Sequence, residues 1–194
     1  MPVSDLAAPV FLLAMPQVVD PFFRKSVVLL LAHESEGSFG FVVNRRTELK
    51  VGDILRDLEL TWSGDPDLRA RFGGPVQPQV GSVLFQPAPV GGPALPGASE
   101  VLPGLRVTQN LSELARLGED PPPRFRLLLG YAGWGPGQLV EEILRNDWLV
   151  APVDLDLVFG DETESTWELG LRSVGVDPET LPAWTEGEPE GSAN

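Results

Sequence analysis

The chain has a single histidine, His33, and no cysteine. A Ser-His-Asp triad would have to use His33, but no Gly-x-Ser-x-Gly turn is present to expose a nucleophilic serine. A structural zinc site takes four histidine or cysteine ligands, so the usual kind is excluded, and thiolate chemistry and disulfides are excluded with it. Because His33 ends an apolar run, we expect it to make a structural hydrogen bond.

Oxygen ligands for magnesium or calcium could come from the acidic residues between 154 and 162. These are Asp154, Asp156, Asp161 and Glu162. Their spacing matches no calcium-binding loop, and acids in so acidic a region need no metal to explain them. The sequence therefore predicts neither a metal nor a cofactor.

The most distinctive segment runs from Gly130 to Leu139 and contains four glycines. It fails the dinucleotide fingerprint because Pro136 lacks an N–H group, and it is not a P-loop because no Gly-Lys-Ser/Thr follows. We interpret it as a tight strand-to-helix turn covered by Tyr131 and Trp134. The alternative is an anion site, since free N–H groups near Gln138 would begin a helix.

Hydrophobic patterning predicts the elements that position these residues. Strands are predicted at 10–13, 26–32, 39–44, 81–86 and 125–129, and helices at 51–58, 110–117 and 139–144. A short turn at 34–37 predicts antiparallel pairing of the second and third strands. Asn110 and Glu113 fit a capping box, and the proline-rich segment 87–104 is a long surface loop. Hairpins interspersed with helices indicate an α+β fold.

Composition and charge bound the class of protein. The 194 residues fit one domain, assigned to 1–184, with a disordered acidic tail at 185–194. The net charge is −14, and residues 141–194 hold fourteen acids against two bases. Direct nucleic-acid binding is disfavoured, because that affinity comes largely from Lys and Arg contacts to phosphates. With no signal peptide and no run of ~20 apolar residues, we expect a cytoplasmic protein without a membrane span.

Taken together, these segments resemble the YqgE/AlgH family of bacterial proteins. The resemblance covers about residues 9–178 and rests on an ordered set of motifs: Met15-Pro16, Asp20-Pro21-Phe22-Phe23, Ser26–Val28, Glu34, Gly37, Gly40–Asn44, Gly73–Pro78, Gly130–Leu139, Glu142, Trp148-Leu149, Phe159 and Trp167. It implies a bifurcated, mostly antiparallel and partly barrel-like sheet surrounded by helices. Some members carry a transcriptional-regulator label, and no catalytic residues can be carried over.

Two departures from the family pattern bear on chemistry. Ala32 precedes His33 where members often have cysteine, so no thiol-dependent role can apply to this chain. Arg45-Arg46 replaces a basic residue followed by proline, which strengthens a local positive patch.

Two hypotheses from different classes follow. The first is a non-enzymatic binding or regulatory module with a protein or small-molecule partner, whose groove is lined by Phe23, His33, Asn44, Gly74, Tyr131, Trp134 and Gln138. Glycines, aromatic rings and amides shape and orient a ligand rather than transfer protons. The alternative is an enzyme acting on an anionic small molecule held at the Gly137-Gln138 helix start, with Arg45 or His33 assisting. The oligomeric state stays open.

Overall fold

A computed structural model of the protein describes residues 6–88, 95–160 and 163–182. In this part of the chain the strands are β1 (Val10–Ala14), β2 (Val27–Glu34), β3 (Gly37–Val42), β4 (Arg46–Lys50), β5 (Arg69–Phe72), β6 (Val76–Phe85), β7 (Ser99–Leu102), β8 (Leu105–Thr108), β9 (Phe125–Trp134) and β10 (Trp148–Ala151). The helices are α1 (Val51–Asp57), α2 (Leu111–Glu119), α3 (Gln138–Leu144), α4 (Leu155–Val158) and α5 (Thr163–Ser173), followed by a short 3-10 helix at Pro178–Thr180.

The strands form one curled, mostly antiparallel sheet in the order β10-β1-β2-β3-β9-β6-β8-β7. The sheet forks at β9. The end of β9 pairs with β3, whereas Leu128 and Leu129 pair in parallel with β5, which in turn pairs with β4. The α+β fold with a bifurcated, partly barrel-like sheet is therefore confirmed, as is the antiparallel pairing of β2 with β3.

Both faces of the sheet are buried around β1. Successive side chains of a strand point to opposite faces. Phe11 and Leu13 accordingly pack into one apolar cluster with α5, while Leu12 and Ala14 pack into another. On the α5 face, the indole of Trp167 donates to the carbonyl of Ala14 at 2.8 Å. This two-sided burial explains why β1 reads as a continuous apolar run rather than an alternating one.

A third apolar cluster lies where α1 and α2 pack on the other half of the sheet. Leu55 of α1 and Leu117 of α2 meet Phe85 and Phe125 there, with the ring of Trp62 at the edge. The helices α1, α2 and α5 thus pack on the sheet and cover apolar side chains. The candidate site lies beside the remaining long helix, α3.

The sequence predicted that the glycine-rich segment is a turn from its first residue, and this prediction is wrong. The strand β9 continues through Trp134, and only residues 135–137 turn into α3. Pairing with β3 extends the strand, because residues 132–134 lie opposite residues 38–40. A second contact is made by Gly74. A Cβ atom on Gly74 would overlap the carbonyl of Tyr131, so the 73–74 backbone packs directly against β9. Gly130 adopts a φ of 73° at the same crossing. Gly130 and Gly74 therefore allow two backbones to approach closely, whereas Gly137, with a φ of 74° and open space around it, belongs to the turn into α3.

Two predicted segments lie outside the residues that the structure describes: the tail at 185–194 and the centre of the proline-rich loop at 89–94. The return of that loop is anchored: Leu95 and Ala98 are buried, and Arg106 donates to both of their carbonyl oxygens. Among the helices of the described ranges, none combines the length and the apolar character needed to span a bilayer.

Candidate functional site

A cleft of about 300 Å³ opens beside the end of β9. One wall is the segment between β1 and β2, and the other is α3 with the turn into β10. We call it the tryptophan cleft. Its lining residues are Gln17, Val18, Val19, Asp20, Phe23, Gly133, Trp134, Gln138, Glu142, Arg145, Asp147 and Trp148.

Glu142 organises the tryptophan cleft. Its Oε2 atom accepts hydrogen bonds from the indole Nε1 of Trp134 and the indole Nε1 of Trp148, each at 2.8 Å. Its Oε1 atom accepts from Nε2 of Gln138 at 2.9 Å. One carboxylate thus fixes the orientation of two large rings from different strands. Such charge-assisted hydrogen bonds are stronger than neutral ones.

Three aromatic rings pack against each other around this carboxylate. The rings of Trp134 and Trp148 are nearly perpendicular, with centroids 5.9 Å apart. Phe23 meets Trp148 edge-on at 5.8 Å and Trp134 at 6.5 Å. Edge-to-face contacts at these separations are favourable because the positive ring edge meets the negative ring face. The wall is therefore rigid, with Trp134 7% and Trp148 4% exposed.

The two walls of the cleft are tied together below it. The amide of Gln17 donates to the carbonyl oxygens of Arg145 and Asn146, and the N–H of Met15 donates to the carbonyl of Asp147 at 2.9 Å. These bonds join the segment before β2 to the turn before β10. The cleft is consequently preorganised, which lowers the entropic cost of binding a ligand there.

Arg145 and Asp147 form an ion pair at the rim. Both Nε and Nη2 of Arg145 donate to Oδ2 of Asp147, at 3.2 and 2.8 Å. The hydrogen bond with Asp147, followed by the attraction of its charge, raises the pKa of the Arg145 guanidinium above its usual value. The guanidinium thus remains charged and engaged.

Several residues that the sequence predicted for one groove meet in the tryptophan cleft. Phe23, Trp134 and Gln138 line it, and Gly137 precedes α3 with a φ of 74°. Glu142 and Trp148 belong to the motifs of the family resemblance but not to the groove that the sequence predicts. A signal for Glu142 was available, because residues four apart on a helix face the same way and Gln138 stands four positions before it.

Tyr131 belongs to a different surface. It points to the face of β9 opposite Trp134, as its packing with Phe39 shows, the ring centroids being 4.9 Å apart. It lines a second, shallower groove of about 490 Å³ with Glu34 and Glu36, which touches the cleft only at Gly133 and Trp134. His33 lies beside that groove, its Nδ1 hydrogen-bonded to the hydroxyl of Ser38 at 2.7 Å.

The remaining predicted residues hold backbone together. Asn44 accepts from the N–H of Val27 at 2.8 Å and donates to the carbonyl of Lys25 at 2.9 Å, which fastens the start of β2. Arg45 donates to the carbonyl of Arg24. Burial, and then the charge of Arg24, lowers the pKa of Arg45. Gly74 packs against β9, as described above.

Several basic residues of the described structure are paired with acids or buried. Lys50, Arg69 and Arg124 are ion-paired with carboxylates, and Arg71 and Arg126 are buried. The two buried guanidinium groups donate to the carbonyl oxygen of Gly160.

Within the same residue ranges, no group of three or more acidic or histidine side chains is placed to hold a metal. Asp154 caps α4 through the N–H of Asp156, and Asp156 is the ion-pair partner of Arg124. Asp161 and Glu162, the other two candidate ligands, lie outside the described residues.

Known proteins are similar to this chain in sequence and in fold. A UPF0301 protein of Myxococcus xanthus is 42% identical over 175 residues, an alignment that covers 90% of this chain and 94% of that protein. A UPF0301 protein of Methylococcus capsulatus is 41% identical over 176 residues, covering 90% and 92%.

Two solved structures superimpose on the chain. The solution structure of the AlgH protein from Pseudomonas aeruginosa has a TM-score of 0.72 at 30% identity, and the match covers 89% of this chain and 94% of that one. A crystal structure of a protein from Corynebacterium diphtheriae, with a TM-score of 0.69 at 24% identity, shares the fold and covers 87% of each chain. The AlgH-like family matches residues 11–179 of this sequence. The chain therefore belongs to the AlgH-like family.

Proposed function

We propose that the chain is a non-enzymatic binding module and that the tryptophan cleft is its binding site. The observation that carries this proposal is the preorganised wall in which Glu142 holds Trp134 and Trp148 by their indole N–H groups. A concave site lined by aromatic rings and a few fixed polar groups is typical of ligand recognition. The side chain of Val19, which lines the cleft and is 55% exposed, adds apolar surface that a ligand can contact.

The geometry gives less support to an enzyme acting on an anion at the start of α3. The N–H of Gln138 already donates to the carbonyl of Gly135 at 3.2 Å, and Oε1 of Gln138 accepts from the N–H of Gly135 at 3.0 Å. Glu141 and Glu142 follow within the same short helix, and their charges repel an anion. His33 and Arg45, the assisting residues of that hypothesis, lie outside the cleft.

Regulation, if the family label applies to this chain, would run through a protein or a small molecule rather than through DNA. The acidic C-terminal quarter disfavours approach to phosphates, and several basic side chains are engaged in ion pairs or buried. The AlgH-like relatives are similar over nearly their whole length, so the proposal concerns the domain as a unit.

Two neighbouring phenylalanines provide a matched test. Phe23 lines the cleft, whereas Phe22 stacks on Phe72 at 5.7 Å and lies outside it. The chain and its Phe23→Ala and Phe22→Ala variants are purified gently, and native mass spectrometry records bound small molecules and proteins. Each species found is then titrated back while tryptophan fluorescence is monitored.

We expect Phe23→Ala to abolish a species that Phe22→Ala retains. Equal retention by both variants, with both folded by circular dichroism, would place binding elsewhere and contradict the proposal.

A further inference from the structure

The hydrogen-bonding groups of the tryptophan cleft are arranged asymmetrically. Each indole has a single N–H, and both are used by Glu142. Both amide hydrogens of Gln17 are used by the carbonyl oxygens of Arg145 and Asn146. Gln138 donates one amide hydrogen to Glu142, so five of the six N–H groups on the uncharged lining side chains are occupied. The donors left for a phosphate or a carboxylate are mainly those of Arg145, which uses two of its five N–H groups on Asp147.

Acceptors remain available at the same place. A carboxylate offers about four lone-pair positions. Asp20 uses its Oδ1 for the N–H of Phe22, and Asp147 uses its Oδ2 for Arg145. The second oxygen of each group can still accept a hydrogen bond from a ligand. These free oxygens suit a ligand that donates hydrogen bonds.

The net charge of the lining residues also favours a positively charged ligand. Among the described residues that line the cleft, three carboxylates, of Asp20, Glu142 and Asp147, face one guanidinium, that of Arg145, which leaves a formal charge of −2. Because Arg145 is already bound to Asp147, its charge is the one most compensated. The half-buried ring of Phe23 adds to this preference, since the ring quadrupole attracts a cation.

We propose that the tryptophan cleft binds a cationic nitrogen group, either a free alkylammonium compound or the lysine side chain of a partner protein. The inference rests on the proposed function and names the chemistry of its ligand. A volume of about 300 Å³ is at the lower end for ligand sites, so it suits one such head group with a short alkyl stem. The exposed side chain of Val19 at the rim provides apolar contact for that stem.

The test uses three probes of similar size and different charge: n-butylammonium, n-butanol and butyrate. Each is titrated into the full chain, and the indole N–H signals of Trp134 and Trp148 are followed by ¹H–¹⁵N NMR. We expect saturable shifts with butylammonium, weaker ones with butanol and none with butyrate. Raising the ionic strength from about 0.01 M to about 0.5 M should weaken the binding, because it shortens the screening length.

Two variants of equal charge change provide the control. Asp20→Asn removes a cleft carboxylate but keeps the oxygen that accepts from Phe22, whereas Asp57→Asn removes an exposed acid at the end of α1. Asp20→Asn should weaken butylammonium binding by about two- to fivefold, a range typical of a partly exposed charge pair. Asp57→Asn should leave it unchanged.

Butanol or butyrate binding as well as butylammonium, or equal effects of the two variants, would overturn the cationic assignment. The binding module itself would survive that result if a species retained by Phe22→Ala is still lost in Phe23→Ala. A lysine-containing peptide compared with its norleucine counterpart distinguishes the sources: binding of the lysine peptide tighter than butylammonium indicates a protein partner, and equal binding indicates a free amine. No shift with any cationic probe refutes the inference.

Discussion

Replacing Glu142 with alanine removes the acceptor of three hydrogen bonds at the centre of the tryptophan cleft. The two indole N–H groups lose their partner, and both rings are nearly buried. A buried donor left unsatisfied costs about 1–3 kcal/mol. Because Glu142 itself is half-buried, water can enter the vacated space and offset part of this cost. We therefore expect the free energy of unfolding to fall by about 2–4 kcal/mol.

The neighbouring residue supplies the control. Glu141 is exposed on the same helix, so Glu141→Ala should change the free energy of unfolding by no more than about 0.5 kcal/mol. Urea denaturation followed by circular dichroism measures both variants. A double-mutant cycle with Trp134→Phe adds a second readout, in which we expect a coupling energy of about 1 kcal/mol between the two positions.

Equal stability of the two glutamate variants would refute the reasoning. The same conclusion would follow from a cycle in which the effects of Glu142→Ala and Trp134→Phe simply add, because the carboxylate would then not be holding the ring. In either case the cleft would owe its shape to packing alone.

Further predictions concern two glycines, Glu113 and DNA binding. Gly74→Ala should destabilise the protein by about 3 kcal/mol or more, because its Cβ would overlap the carbonyl of Tyr131. Gly137→Ala should cost only about 1 kcal/mol, since its φ is positive but no described atom lies within 4 Å of the added Cβ. Urea denaturation compares the two glycine variants. Equal losses of stability would contradict the argument that Gly74 allows a close backbone approach. Glu113→Ala should lower the free energy of unfolding by about 2–3 kcal/mol in the same assay, because the hydroxyl of Thr108 and the N–H of Gly97 lose their buried acceptor. A loss below about 0.5 kcal/mol would show that water replaces the carboxylate. In mobility-shift assays at moderate salt, the acidic chain should form no specific complex with duplex DNA, and tight sequence-specific binding would overturn this expectation.

Sequence patterning predicted the apolar strands well because burial dominates them. β1, β2 and the first half of β9 are rich in large apolar residues. Such a run is removed from water on both faces only when the strand lies inside the sheet, so the pattern alone predicts it. The strands β4, β5, β7, β8 and β10 were missed, and β7 lies within the segment 87–104 that was predicted to be a loop. Two of them, β4 and β5, show why. They carry several charged side chains, such as those of Arg46, Glu48 and Arg69, and pair at the fork of the sheet, which no local pattern reveals.

The capping box shows how tertiary contacts override a local signal. Asn110 caps α2 as predicted, accepting from the N–H of Ser112 at 2.9 Å. Glu113, however, directs its carboxylate away from the cap, to the hydroxyl of Thr108 and the N–H of Gly97. It anchors the returning proline-rich loop, a partner that lies sixteen residues away and that sequence spacing cannot identify.

The candidate site was predictable only in part for a similar reason. The sequence pointed to Phe23, Trp134 and Gln138 by their motifs, and these do line one cleft. It grouped Tyr131 with them because the glycine-rich segment was interpreted as a turn. In a strand, Tyr131 and Trp134 lie three positions apart and so point to opposite faces. Recognising that strand required knowing that β3 pairs with residues 132–134.

The position of a bound cation tests the central claim most directly. Intermolecular NOEs between n-butylammonium and the full chain report which rings the alkyl protons touch. We predict NOEs to the ring protons of Phe23 and Trp148, in the tryptophan cleft. NOEs to Tyr131 and Phe39 in the second groove instead, or saturable binding with no NOE to the cleft rings, would contradict the account.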